Sequence, residues 1–393
     1  MKKYLDLKNK YRDYIRSKPN VVGIGVGKRL KDNRMTDEKS VLVLVSKKVP
    51  EVALRKEELI PRQLEGEPVD VVEIGEIRFL QEEEKKEGKE GTEELQPEKS
   101  WLREEERSPS TTPGKITRKY TRSPPEDKTG NGEAEILKDR TAKHRPAPGG
   151  ISIGHYLITA GTLGTAVQDR TPEGRGKLLA LSNNHVLANS TTGNDGRAAK
   201  GDKILQPGAH DGGRDPHDVW GHLERFVPLV KDIRCCSVAA MSEEIINRIL
   251  SFSGTCYRVR FNKNKEPENL VDAAVAKPIR DSYLSTAILG LGRAIGIAEV
   301  EIGQEVVFSG RTSGVKKGIV LARDVHIAVA MESGKPVIFT DQLVTSAIAL
   351  PGDSGSLLLN NKNNAVGLVF AGSNRVSISN RMKNVATLLQ IGL

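Results

Sequence analysis

Three short stretches of this 393-residue chain hold residue types that could act together on an acyl group. The last of them is Leu350-Pro351-Gly352-Asp353-Ser354-Gly355-Ser356, a serine between two glycines that runs straight into Leu357-Leu358-Leu359. Glycine lets the backbone take positive φ or approach another backbone closely. Such a turn exposes Ser354 Oγ and aims the amides of Gly352 and Ser354 at one point, which is how a developing oxyanion is stabilised. The first stretch, Leu181-Ser182-Asn183-Asn184-His185-Val186-Leu187, sets a histidine at the end of an apolar strand. Between the two lies Val271-Asp272-Ala273-Ala274-Val275-Ala276, with one carboxylate at the edge of an otherwise apolar run. A buried carboxylate is costly unless paired. An imidazole N–H beside Asp272 would remove that cost, fix the tautomer of His185 and leave its other nitrogen to take the proton of Ser354.

Each stretch alone has an ordinary structural explanation: a Gly/Ser turn, a core histidine, a turn or cap aspartate. Their order, His185, Asp272, Ser354, favours joint chemistry. The α/β-hydrolase order is Ser, Asp, His, with the serine on a strand-to-helix elbow. Here the serine comes last and a strand follows it.

The elements that must position these residues are short strands. From Gly149 onward, apolar runs alternate with Gly, Asn, Asp and Pro turns, at 158–167, 177–182, 219–229, 271–276, 305–309, 318–321, 325–330, 337–340, 356–359 and 365–371. Many short strands with little regular helix predict a β-sandwich or barrel. Two helices are expected: residues 241–250, within an insertion, and a closing helix capped by Ser379 or Asn380 with Met382, Val385, Leu388 and Leu389 on one face.

Upstream, Tyr4, Leu7, Tyr11, Tyr14 and Ile15 form an amphipathic stripe ending before Pro19. Strands at 21–27, 40–45 and 69–77 and a helix at 51–59 complete a small α/β domain over residues 1–80. The glycines of Val21-Val22-Gly23-Ile24-Gly25-Val26-Gly27 match neither dinucleotide nor phosphate-loop spacing, so no nucleotide site is expected there. Residues 81–148 are charged, Pro-rich and poor in apolar side chains, with Trp101-Leu102 as the one sticky spot; this composition predicts a disordered linker.

The pattern Gly161-Thr162-Leu163-Gly164-Thr165, Ser182-Asn183-Asn184-His185-Val186, Asp272-Ala273-Ala274-Val275-Ala276, Gly352-Asp353-Ser354-Gly355-Ser356 resembles the trypsin/chymotrypsin-like serine proteases across residues 149–393. Within that family it is similar to a bacterial subgroup related to the plant narrow-leaf-type proteases. The resemblance implies two antiparallel β-barrels (about 149–292 and 293–393) with the site between them and a C-terminal helix. It implies His185 as general base, Asp272 as orienting acid and Ser354 as nucleophile. The amides of Gly352 and Ser354 would form the oxyanion hole. It places Ile348 at the base of the specificity pocket, and Phe370, Ala371 and Gly372 on the strand that pairs with substrate backbone. Ile348 brings no acid to that pocket, so an apolar P1 residue is expected.

Departures from the family are informative. The long His185-to-Asp272 interval implies insertions, including 188–218 and 231–265. Ile151 matches the residue that becomes the new N-terminus of activated zymogens and pairs with the aspartate here numbered Asp353. No basic residue directly precedes it, which reads against that route. A catalytically idle protease-fold scaffold that binds peptides or partner proteins is the alternative.

Composition sets the remaining limits. Aromatics are only 4% of the chain, which reads against a base-stacking nucleic-acid surface. The net charge of +9 is concentrated at the front of the chain. Contact of that segment with nucleic acid or an anionic surface is the lesser expectation, a solvated helix face the greater. Cys235, Cys236 and Cys256 cannot make a disulfide framework, and no apolar leader or spanning run is present. A cytoplasmic protein acting on polypeptide is therefore expected, without cofactor. The loop holding His210, Asp211, Asp215, His217, Asp218 and His222 has metal-ligand chemistry, but Gly212, Gly213 and Pro216 favour a solvated loop over a metal site.

Overall fold

The computed structural model describes residues 1–31, 34–80, 139–231, 267–331 and 334–393, with a few positions between 242 and 259. The architecture is mainly β, with a small helix-and-strand unit in front. Its N-terminal helix α1 (Lys2–Arg16) buries Leu7 and Ile15 against Ile24, Val41 and Val43. Those side chains lie on β1 (Val21–Lys31) and β2 (Arg34–Val45), which pair antiparallel, while β3 (Glu67–Glu73) adds parallel to β2. Each such aliphatic side chain contributes about 1.5–3 kcal/mol on burial. Tyr14, placed on the stripe by its spacing, is instead half exposed, with the Lys18 ammonium over its ring. The helix expected at 51–59 is replaced by two 3-10 turns, with Val52 fully in solvent. A two-residue strand, β4 (Arg78–Phe79), ends the unit.

The basic front of the chain is spent on internal partners. Lys3 and Lys10 meet Glu67 and Glu65, Arg12 reaches Glu268 at 2.9 Å, and buried Lys8 donates to the Asp324 carbonyl at 2.9 Å. Burial lowers the Lys8 pKa.

Residues 139–148, which composition assigns to the linker, belong to the folded body. Arg140 donates to Gly150 O at 2.7 Å and to Ser309 Oγ at 2.8 Å, and Ala147 is fully buried. Local polarity is outweighed here by long-range partners. The first barrel follows, from β5 (Ser152–His155), β6 (Thr165–Asp169), β7 (Leu178–Ser182), β8 (Lys203–Leu205), β9 (Val219–Phe226) and β10 (Ala274–Pro278) around Trp220, Ile153 and Ile204. Residues 81–138 and Cys235, Cys236 and Cys256 lie outside the described residues, as do 241, 243, 244 and 249 of the helix expected at 241–250, whose other six positions are helical.

The second barrel comprises β11 (Glu305–Gly310), β12 (Gly314–Val329), β13 (Val337–Thr345), β14 (Leu357–Asn360), β15 (Asn364–Gly372) and β16 (Ser377–Arg381). Pairing runs β12–β13–β16–β15–β14–β11 and returns to β12, so this ring closes. The two runs expected at 318–321 and 325–330 are one long strand, β12, with bulges. Beyond the barrel, β1 pairs with β12, Gly27 opposite Ala322. A Cβ on Gly27 would lie 2.1 Å from Leu42 Cδ1 and 2.8 Å from the Leu321 carbonyl. The glycine run therefore serves close strand packing, and the N-terminal unit shares one sheet with the second barrel.

Helix α2 (Met382–Leu389) has Arg381 at its N-cap position, without a side-chain cap bond, rather than Ser379 or Asn380. Met382, Val385 and Leu389 are buried, whereas Leu388 faces solvent. Among the described residues no helix is long and apolar enough to cross a membrane.

Candidate active site

His185 sits in a single helical turn directly after β7, and Asp272 just before β10, the strand that pairs with β7. Adjacent strands thus deliver the two side chains to one end of the first barrel. His185 Nδ1 lies 2.5 Å from Asp272 Oδ2, and the backbone N–H of His185 donates to Oδ1 at 3.1 Å. Both side chains are buried. Asp272 is held from behind: Asn183 Nδ2 donates to its carbonyl at 2.7 Å, and its own N–H donates to Asn380 Oδ1 at 3.1 Å. Asn380 comes from β16 of the other barrel; its sequence context points to a helix cap and not to a bond with Asp272. Asn183 stood in the histidine motif and could have been singled out there.

The serine turn is built by the second barrel and locked by the first. Gly352 and Gly355 both take φ of +93°. A Cβ on Gly352 would fall 2.4 Å from Thr312 Oγ1, and one on Gly355 would fall 2.0 Å from Ser182 Oγ. Both positions exclude a side chain on conformation and on space. Thr162 N donates to Ser354 O at 2.7 Å, and Thr162 Oγ1 donates to Gly352 O at 2.8 Å. Ser354 Oγ donates to Phe370 O at 3.2 Å.

Asp353 points away from the cleft. Its carboxylate accepts from Thr312 N and Ser313 N, both at 2.9 Å, from Leu350 N at 2.8 Å, and from the Ser313 hydroxyl. The chain itself supplies every donor this carboxylate needs, so the turn is held without an N-terminal ammonium. Ile151 is accordingly buried in the first-barrel core.

The strand singled out for substrate pairing is already paired. Arg78 of β4 lies opposite Gly372, and Phe79 opposite Ala371, in antiparallel register. Leu80 N donates to Phe370 O at 3.3 Å, and Gly352 N donates to Leu80 O at 3.0 Å. The Phe79 ring stands edge-on to His185 (5.2 Å between centroids) and to Phe370 (6.1 Å), spanning the cleft. Leu80 is buried in an apolar cluster with Ala347, Ala349 and Val369, the first two flanking half-buried Ile348. A Cβ on Gly372 would lie 3.6 Å from Leu80 Cδ2. Nothing in residues 78–80 themselves points to this occupancy.

The polar loop after β8 is dispersed. Asp211 forms a pair with Arg311 at 2.8 Å, Asp215 with Lys203 at 2.6 Å and Asp218 with Lys143 at 2.7 Å. Among the described residues no group of three His, Cys, Asp or Glu side chains could hold a metal ion.

No protein-family model matches the chain, and no curated protein does. Among solved structures it is similar to Thermobifida fusca protease A, at 13% identity over 62% of this chain and 96% of that one, with a TM-score of 0.38. A Nocardiopsis protease is matched at 16% identity over the same shares, with a TM-score of 0.39. A Cellulomonas bogoriensis chymotrypsin is matched at 15% identity, again over 62% and 96%, with a TM-score of 0.38.

Proposed function

We propose that this chain is a serine endopeptidase of the trypsin/chymotrypsin type, with His185, Asp272 and Ser354 as its triad. The observation that carries the reading is a buried His185–Asp272 pair in a chain that also builds a serine turn whose Gly352 amide holds a peptide carbonyl. With Nδ1–H donated to Asp272, Nε2 of His185 is the base. It takes the proton of Ser354 once that hydroxyl turns from Phe370 O. Ser354 Oγ then attacks the substrate carbonyl, and the amides of Gly352 and Ser354 stabilise the negative oxygen. His185 passes the proton to the leaving amine, and water repeats the cycle on the acyl-enzyme. The apolar surroundings of Leu80 support an apolar P1 residue. A cysteine content without a disulfide framework fits a reducing compartment such as the cytoplasm.

The hydrogen bond from Ser354 to Phe370 and the filled cleft favour a second reading, an idle scaffold that holds peptide. A fluorophosphonate probe separates the two. The enzyme reading expects covalent labelling of wild type that Ser354→Ala abolishes. Absence of labelling in wild type and in variants with an emptied cleft supports the scaffold.

A further inference from the structure

The peptide lying in the cleft is the chain's own, and its geometry is that of a substrate. Three features fix its register. Arg78 and Phe79 extend β15 by antiparallel pairing at Gly372 and Ala371, as an added substrate strand does. Leu80 N–H points to Phe370 O, and Leu80 O accepts the Gly352 amide, so one residue makes both contacts expected beside the reacting carbon. The side chains agree with the backbone: Phe79 stands edge-on to the His185 ring, and Leu80 fills the apolar space beside Gly372, Ala347 and Ala349.

The segment is also strapped in place upstream. Ile74 and Ile77 are buried in the second-barrel core, Ala330 N donates to Ile77 O at 2.7 Å, and Arg375 pairs with Glu73 at 2.9 Å. Because β1 and β2 share a sheet with the barrel, the segment is presented intramolecularly. Its effective concentration at the cleft is of order millimolar, as for a short tether.

We propose that Leu80 is the P1 residue of an internal substrate, that Ser354 cleaves the peptide bond following it, and that Arg78–Leu80 then stays in the cleft as a product inhibitor. The proposal rests on the endopeptidase reading above. Ser354 Oγ forms an ester bond to the Leu80 carbonyl carbon as the bond to the next nitrogen breaks. His185 carries the serine proton to that nitrogen, which leaves as a free amine. Water then hydrolyses the ester and leaves a Leu80 carboxylate facing the Gly352 amide. No oxidant or cofactor enters the balance. Release is slow because the cleaved N-terminal unit remains part of the second-barrel sheet.

Intact-mass measurement and fluorophosphonate labelling on the same full-length preparations test this. Wild type is expected as two fragments that divide after Leu80, and Ser354→Ala as one chain of 42.9 kDa. Leu80→Asp places a charge in the apolar pocket. It should remain uncut and label about tenfold faster than wild type, since the open-cleft fraction sets the apparent rate. Leu80→Met, which keeps the volume and the apolar surface, should be cut like wild type and controls for folding. Wild type that labels but stays intact, a division anywhere else, or labelling of Leu80→Asp no faster than wild type overturns the proposal while the enzyme reading stands. Absence of labelling in every variant overturns the enzyme reading and this proposal with it.

Discussion

The two barrels contribute to the cleft in different ways. The first supplies a hydrogen-bonded pair, His185 and Asp272, buried and delivered by adjacent strands. The second supplies backbone: a turn at Gly352–Gly355, an open strand edge at Phe370–Gly372, and an N-terminal unit grafted onto its sheet. Each half is then locked by one side chain from the other. Thr162 of the first barrel bonds the serine turn, and Asn380 of the second bonds Asp272. A site divided this way needs both barrels docked before any part of it works. It also leaves one face, the strand edge of the second barrel, free to be covered by the chain's own N-terminal segment.

The largest effect should come from breaking the first barrel's part. Asp272→Asn keeps the shape but can present an N–H to His185, favouring the wrong tautomer. The serine-protease triad loses about 10⁴-fold in kcat from this change. Peptide hydrolysis by Asp272→Asn in a Leu80→Asp background should fall by that order, with KM little altered. A loss under about tenfold would assign Asp272 a structural role.

The lock between barrels is the next point of attack. Asn380→Ala leaves the Asp272 N–H buried without its acceptor, at a cost of about 1–3 kcal/mol. Urea unfolding should show that loss, and kcat should fall as Asp272 loses one of its anchors. Unfolding and kcat both matching wild type would mean that Asn183 alone suffices to hold Asp272.

The residues of the candidate site were legible in the sequence because each stands in a short local context: histidine after a strand, aspartate before one, serine between glycines. Strand length and turn residues limited the fold to a sandwich or a barrel, and the family resemblance chose two barrels. The bonds of Asn380 and Thr162 were not legible, because their partners lie 108 and 190 positions away; Asn380 reads as a helix cap and Thr162 only as part of a motif. Nor was the occupant of the cleft. Arg78–Phe79 is a two-residue strand, too short to show alternation, and what makes it a strand is the open edge of β15. The glycines of β1 read as part of a strand, but the reason for them, close approach to β12, lies too far along the chain to show there.

The smallest effect concerns where the N-terminal unit meets the second barrel. His326 on β12 is buried beneath α1, whose Lys8, Arg12 and Arg16 face it together with Asp13, while Glu268 Oε1 lies 3.4 Å from its Nε2. Burial first, then those three cations, lower its pKa to about 3. The unfolded chain, with a histidine near about 6.5, takes up a proton first as pH falls. The neutral-histidine contribution is therefore complete above about pH 6.5 and is lost on acidification, by at most about 1.4 kcal/mol per pH unit for one proton. Between pH 6.5 and 5, where most carboxylates have yet to titrate, the unfolding free energy of wild type should decline. His326→Gln, which stays neutral throughout, should decline less over the same interval. Equal slopes in chemical denaturation would show that this histidine is not buried as the neutral form beneath the helix.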